Sequence, residues 1–272
     1  MNAVSLGPFV FDASRLAAIA AVLLFLTVSK IAARRKRQKG HAHAIEAWAG
    51  WAVLAWILGA RLGFVLTHAD DFAAAPLDAL KLWQGGFSAR AGWIAAGAVL
   101  AVAFLKGRGA VLRPLLVAAA LTAMAHQAIT AALPRPQMRL PVMELLALDG
   151  SPVQLAGQDR VTVVNLWATW CPPCRREMPM MTSLAAEMPE VSFVFANQGE
   201  SADRILAFLA AEGLPADGML RDPRGHLMGR LRAVGLPSTL VFDAKSALVA
   251  AQTGEISGPA LRALIDTAKE QE

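Results

Sequence analysis

The chain has 272 residues, 56% of them hydrophobic and only 17% charged, against roughly 25% charged in an ordinary soluble domain. That balance argues against a disordered chain and a wholly soluble enzyme, and it points to membrane spans. The net charge of +5 is uneven: residues 1–137 hold 14 Lys and Arg against 5 Asp and Glu, a balance of +9, and residues 138–272 carry −4. Basicity in the hydrophobic half marks cytoplasmic loops, and the acidic half offers no basic stripe for a nucleic acid.

Four apolar stretches follow one another: Leu16–Ala33, Ala47–Leu66, Phe87–Leu105 and Pro114–Leu133. Each approaches the ~20 residues that cross ~30 Å of hydrocarbon. Lys30 and Arg90, inside the first and third, would have to snorkel. The run Arg34-Arg35-Lys36-Arg37 with Lys39 follows the first stretch instead of preceding it, which is the wrong order for a cleaved signal peptide. Basic loops (this run, and Lys106, Arg108 and Arg113) belong inside. The loop with Asp70, Asp71 and Asp78 against Lys81 belongs outside. Four spans then place both ends of the chain outside the cytoplasm, in the periplasm of a Gram-negative cell.

Arg61 lies deep in the second stretch, so it is either a functional group or a structural arginine satisfied by partners. His41 and His43 form an H-x-H with no further ligands and read as a solvated loop, and His126 reads as a packed or interfacial histidine. No metal site is expected. The tryptophans between Trp48 and Trp93 suit interfacial belts and helix packing.

The segment "LGARLGFVL", then an acidic loop with "PLDALKLWQGGFSARAG", resembles the middle of prolipoprotein diacylglyceryl transferase. The likeness covers about residues 5–130 and is most specific from Leu58 to Gly92. Arg90 stands at that family's histidine position and Ala91 at the glycine after it, and the family's later Arg-x-Gly-Asn-Phe segment is missing. The resemblance implies a shared helical scaffold that meets membrane lipid, and it argues against transferase chemistry.

Pro134-Arg135-Pro136 ends the last span and opens a linker, 134–139. Domains are expected at 1–133, with four transmembrane helices, and at 140–272. In the second, Val142–Leu148 and Pro152–Leu155 flank Asp149-Gly150 as a hairpin. Val161–Trp167 reads as a central strand, Pro172–Met188 as helix, Val191–Ala196 as strand and Ala202–Glu212 as helix. His226–Ala233 is a shorter helix, Thr239–Asp243 and Leu248–Thr253 are strands, and Gly258–Lys269 is the last helix. The order suits a small α/β sheet with helices on both faces.

The chain contains two cysteines, Cys171 and Cys174, at the junction of that central strand and its helix. A helix N-terminus carries partial positive charge and free N–H groups, which stabilise a thiolate. Cys171 is expected at an exposed cap with Cys174 one turn deeper, so that Cys174 resolves a mixed disulfide formed on Cys171. Pro172 suits the first turn because its missing N–H costs nothing there. Half a zinc site would lack nearby ligands, and a structural disulfide would not explain the placement or the intervening Pro172-Pro173.

"VVNLWATWCPPCRREMP" and the later "GLPSTLVFD" resemble the thioredoxin superfamily, specifically the extracytoplasmic thiol reductases of the TlpA/ResA/CcmG type, over Leu140–Ala268. The expected architecture is therefore an α-helical membrane domain followed by an α/β thioredoxin-like domain. The resemblance implies a redox-active Cys171–Cys174 disulfide without any other cofactor. It implies a substrate groove shaped by Trp170, Pro172, Pro173, Leu236 and Pro237, with Pro237 as the family's cis-proline, and a kink at Pro179. Asn165 stands where cytoplasmic thioredoxins carry a buried aspartate. Glu177, on the same side of the helix as Cys174, is the substitute proton carrier, unless it is a surface residue. Met178, Met180 and Met181 read as core or as an adaptable surface ahead of a Cu(I) site.

The implied function is reduction of protein disulfides by a multi-pass inner-membrane protein with a periplasmic redox domain. A membrane donor of the DsbD/CcdA type must supply electrons, because the membrane half has no cysteine. The implied settings are cell redox homeostasis and cytochrome c maturation. The competing readings are a thiol oxidase, a copper or haem-pathway thiol-handling module, and a lipid-modifying enzyme.

Overall fold

A computed structural model of the chain describes residues 3–6, 9–35, 41–73, 76–132, 138–155 and 159–270. The chain divides into two compact units, one of residues 14–82 and 86–133, the other of residues 1–13, 83–85 and 134–272. Lys36, Arg37 and Lys39 of the basic run, and the Pro134–Pro136 break, lie outside the described residues.

The first unit holds α1 (Ala13–Arg35), α2 (Ala42–Thr67), a short α3 (Ala69–Ala73), α4 (Ala89–Leu105) and α5 (Gly109–Ala132). Among the described residues α1, α2 and α5 are long and apolar enough to span a membrane, and α4 is a shorter apolar helix. At 17 residues α4 sits at the lower limit for a span. α5 begins five residues ahead of the expected start, because Pro114 lies inside the helix instead of opening it.

α2 and α4 pack closely through glycines four residues apart. A Cβ at Gly59 would lie 2.3 Å from Ala95 Cβ, and one at Gly63 2.2 Å from Ala91 Cβ. Small residues at this spacing let two backbones approach in a membrane, where packing rather than water exclusion drives association. Trp56 of α2 meets Trp93 of α4 edge to face, with centroids 6.2 Å apart.

Between those glycines stands Arg61, 4% exposed. Its Nε donates to Ala79 O at 2.8 Å, Nη1 to Gly86 O at 3.0 Å and Nη2 to Asp78 O at 2.6 Å. The guanidinium also lies over the rings of Phe72 and Phe87. The fork is spent on carbonyls of the loop between α2 and α4, so the structural reading of Arg61 is the one the geometry supports. A rigid guanidinium reaches three carbonyls at once, and an ammonium cannot.

The second unit opens with an antiparallel hairpin, β1 (Ala3–Leu6) and β2 (Phe9–Asp12), which the sequence reading did not anticipate. The main sheet is built from β3 (Glu144–Ala147), β4 (Pro152–Gln154), β5 (Thr162–Trp167), β6 (Ser192–Gln198), β7 (Met219–Asp222), β8 (Ser238–Phe242) and β9 (Leu248–Thr253). Its order among the described residues is β4-β3-β7-β6-β5-β8-β9. β5, β6 and β7 run parallel; β8 pairs antiparallel with β5 and β9, and β3 with β4 and β7. The helices are α6 (Pro172–Glu187), α7 (Ala202–Glu212), α8 (His226–Arg230) and α9 (Gly258–Lys269).

Alternation along β5 explains the two-layered core. Val163 and Trp167 join Met178 and Met181 of α6, Ile205 of α7 and Leu261 of α9 on one face. Val164 and Leu166 join Leu227 of α8 and Phe242 on the other. β7, the strand missed in the sequence, is only four residues long and carries Arg221 and Asp222, so its apolar pattern is weak. α8 ends at Arg230 and not Ala233, since Arg232 adopts a left-handed φ of 51° that closes the helix.

Arg61→Lys should leave at least two of the three loop carbonyls without a donor, each worth about 1.5–3 kcal/mol for a bond to a charged group. The detergent-solubilised chain should melt several degrees lower. An unchanged melting temperature would return Arg61 to the list of candidate functional groups.

Candidate redox site

β5 delivers the chain to the sheet's C-terminal edge, and Ala168–Trp170 turn it into α6. Cys171 is the N-cap of α6, in an extended conformation, and its Sγ accepts from the Cys174 N–H at 3.3 Å. Pro172 occupies the first helical position. Cys171 and Cys174 are joined in a disulfide. The cap geometry agrees with expectation, but the exposure does not. Cys171 is 3% exposed and Cys174 fully buried, because closure onto Cys174 turns both sulfurs into the core cluster. What faces outward is Trp170, 61% exposed, and Pro172, with Pro173 half-buried.

Leu236 is half-buried and packs against the cluster that contains both cysteines. The Leu236–Pro237 peptide bond is cis, and Pro237 is buried, its carbonyl accepting from the Gly254 N–H at 2.8 Å. α6 continues through Pro179 to Glu187. Met178 and Met181 are fully buried in the core and Met180 packs against it, so these methionines act as packing groups.

Glu177 is 2% exposed, not a surface residue. Its Oε1 accepts from Asn165 Nδ2 at 2.9 Å and its Oε2 from the Ile256 N–H at 3.2 Å. Asn165, itself fully buried on β5, also donates to Thr239 Oγ1 at 3.1 Å. Burial raises the Glu177 carboxyl to about 8 from an ordinary value near 4.5. The hydrogen bonds from Asn165 and Ile256 pull the other way, Glu255 adds repulsion, and Arg176 offers attraction. Asn165 and Glu177 thus form one buried polar pair, with Glu177 one turn beyond Cys174 on α6.

A second buried glutamate, Glu200, escaped the sequence reading. Its Oε2 accepts from the Thr169 N–H and from Asn197 Nδ2, each at 2.7 Å, and its Oε1 accepts from Thr169 Oγ1 at 2.5 Å. Arg204 Nε reaches the same Oε1 at 2.9 Å. Glu200 therefore ties the turn before Trp170 and Cys171 to the end of β6. Thr169 and Glu200 are 31 residues apart, and no spacing rule links them. Arg175 pairs with Glu212 at 2.7 Å and lies over Phe208, whose ring meets Trp167. Arg90 is exposed in the first turn of α4.

Residues 136–251 match the AhpC/TSA family, and residues 2–131 match the prolipoprotein diacylglyceryl transferase family. The thiol:disulfide interchange protein DsbE homolog of Paracoccus denitrificans is 34% identical over 103 residues, 38% of this chain and 56% of that protein. The thiol:disulfide interchange protein HelX of Rhodobacter capsulatus is 32% identical over 108 residues, 39% of this chain and 60% of that protein. A phosphatidylglycerol–prolipoprotein diacylglyceryl transferase of Neisseria meningitidis is 35% identical over 109 residues, 39% of this chain and 36% of that protein. The chain thus spans little more than half the length of these interchange proteins and about a third of the transferase. It joins an N-terminal region related to the prolipoprotein diacylglyceryl transferases to a C-terminal thioredoxin-like domain of AhpC/TSA type, similar to the DsbE-type interchange proteins.

Proposed function

We propose that the chain is a membrane-anchored thiol:disulfide oxidoreductase that reduces protein disulfides outside the cytoplasm. The observation that carries the reading is the Cys171–Cys174 disulfide at the N-cap of α6, with a buried carboxyl one turn beyond Cys174. A dithiol donor, of the membrane DsbD/CcdA type by resemblance, attacks Cys171 Sγ. The intramolecular bond breaks and Cys174 leaves as a thiolate. Glu177, holding its proton near neutral pH, gives it to that thiolate. The donor's second thiol then displaces Cys171, which the helix end and the Cys174 N–H favour as a thiolate. The donor is oxidised to a disulfide and the chain has gained two electrons.

In the second half of the cycle the Cys171 thiolate attacks a substrate disulfide and expels one substrate thiolate. Cys174 returns its proton to the Glu177 carboxylate and attacks Cys171 Sγ. The internal disulfide re-forms and the second substrate thiolate leaves. On this reading Trp170, Pro172, Pro173, Leu236 and Pro237 form the groove that receives the substrate peptide.

On this reading the short α4 crosses with α1, α2 and α5, and the basic and acidic loops put both ends of the chain outside the cytoplasm. By the same reading a linker, 134–139, joins domains at 1–133 and 140–272.

Cys174→Ser should trap mixed disulfides between Cys171 and substrate proteins, and Cys171→Ser should trap none; the converse pattern would reverse the two roles. A reporter fused after Glu272 should be active outside the cytoplasm and one inserted at Gly40 should not; cytoplasmic activity after Glu272 would end the extracytoplasmic assignment.

Glu177 also gives a pH signature. Between about pH 5 and 8 the folded chain keeps a proton that the unfolded chain has released. Its contribution to stability is full below the unfolded value near 4.5 and is lost as the pH climbs through about 8. The slope approaches about 1.4 kcal/mol per pH unit. Denaturant unfolding of the oxidised chain should therefore weaken across this window, and Glu177→Gln should flatten the decline. Equal slopes in both proteins would show that Glu177 does not hold the proton.

A further inference from the structure

Trp83–Gly85 belongs by sequence to the loop before α4, yet it groups with the redox unit. Gln84 is 4% exposed there. Its Nε2 donates to Glu255 Oε1 at 2.7 Å, and its carbonyl accepts from the Ser257 N–H at 3.4 Å. Glu255 is buried too, and its Oε2 accepts from Arg176 Nη2 at 2.9 Å and Nε at 3.2 Å. Between these two anchored residues lies Ile256, whose N–H reaches Glu177. The three residues Glu255–Ser257 are thus held by Gln84 at both ends and present their middle N–H to the buried carboxyl.

We propose that Gln84 is a positioning residue of the redox centre, fixing Glu255–Ser257 so that the Ile256 N–H stays on Glu177. The proposal rests on the proton-carrying role given to Glu177 above. A buried carboxylate oxygen that loses its donor is costly to leave in place. Without the Gln84 amide, Glu255 must turn towards water, and Ile256 moves with it. The charged groups acting on Glu177 are Glu255 and Arg176. The Ile256 hydrogen bond lowers the proton affinity of Glu177, so its loss raises that affinity. Nothing in the local pattern of the N-terminal half points to this role.

The test uses the full chain in detergent or nanodiscs, oxidised, with infrared difference titration of the carboxyl band that disappears in Glu177→Gln. Gln84→Leu, which keeps the volume and removes the amide, should raise the midpoint of that band by about half a pH unit or more. It should also shift the pH profile of insulin-type disulfide reduction, and it should have no effect on that profile in the Glu177→Gln background. Gln84→Asn, too short to reach Glu255 but still polar, should act in the same direction and replaces Gln84→Leu where the latter does not fold. An unmoved midpoint in a folded Gln84 variant overturns the positioning role and leaves the role of Glu177 standing. If Glu177→Gln removes no titrating band, the proton-carrying role fails, and this inference fails with it.

Discussion

Burying the Glu177 carboxyl one turn beyond Cys174 obliges the surrounding elements to supply what water would have supplied. β5 answers with Asn165, a polar residue in a strand otherwise made of Val, Leu and Trp. The turn before α9 answers with the Ile256 N–H. Two neutral donors do not compensate for full removal from water, so the group keeps its proton to about 8. The fold around the site is arranged to that end. β5 must be central so that Asn165 is buried, and α6 must start at Cys171 so that Glu177 faces inward one turn beyond Cys174.

Glu200 shows how differently a second buried glutamate can be used. It receives Thr169 twice, Asn197 once and the Arg204 guanidinium, which spends its accepting capacity on holding the turn. Glu177 has two donors and sits on the helix that carries both cysteines. The first arrangement fixes where Trp170 and Cys171 stand. The second holds each Glu177 oxygen by a single neutral donor, and the carboxyl keeps its proton. Position relative to the reacting atoms separates the two roles, since residue type does not.

The chemistry was legible where it is local in the chain. The C-x-x-C at a strand–helix junction, the proline at the first helical position and the i,i+3 relation of Cys174 and Glu177 are all short-range features, and each stands where the sequence places it. The long strands and amphipathic helices were legible for the same reason. What escaped depends on pairs distant in sequence. Glu200 and Thr169, Gln84 and Glu255, and the burial of Cys171 follow from the closed fold, which no window of ten residues contains. β7 escaped because two of its four residues are charged, and the β1–β2 hairpin because its eight residues precede a strongly apolar helix that dominates the reading.

The helical unit holds no thiol, since both cysteines of the chain lie beyond residue 170. Its one deeply placed cation, Arg61, is occupied by three loop carbonyls. Arg90 is exposed and stands where the related transferases carry a histidine. Close glycine packing of α2 on α4 builds a rigid pair instead of a cavity. These features make the helical unit a packed scaffold. The carbonyls that hold Arg61 include those of Ala79 and Gly86, which flank Gln84 in sequence, so one guanidinium orders the loop on both sides of that residue.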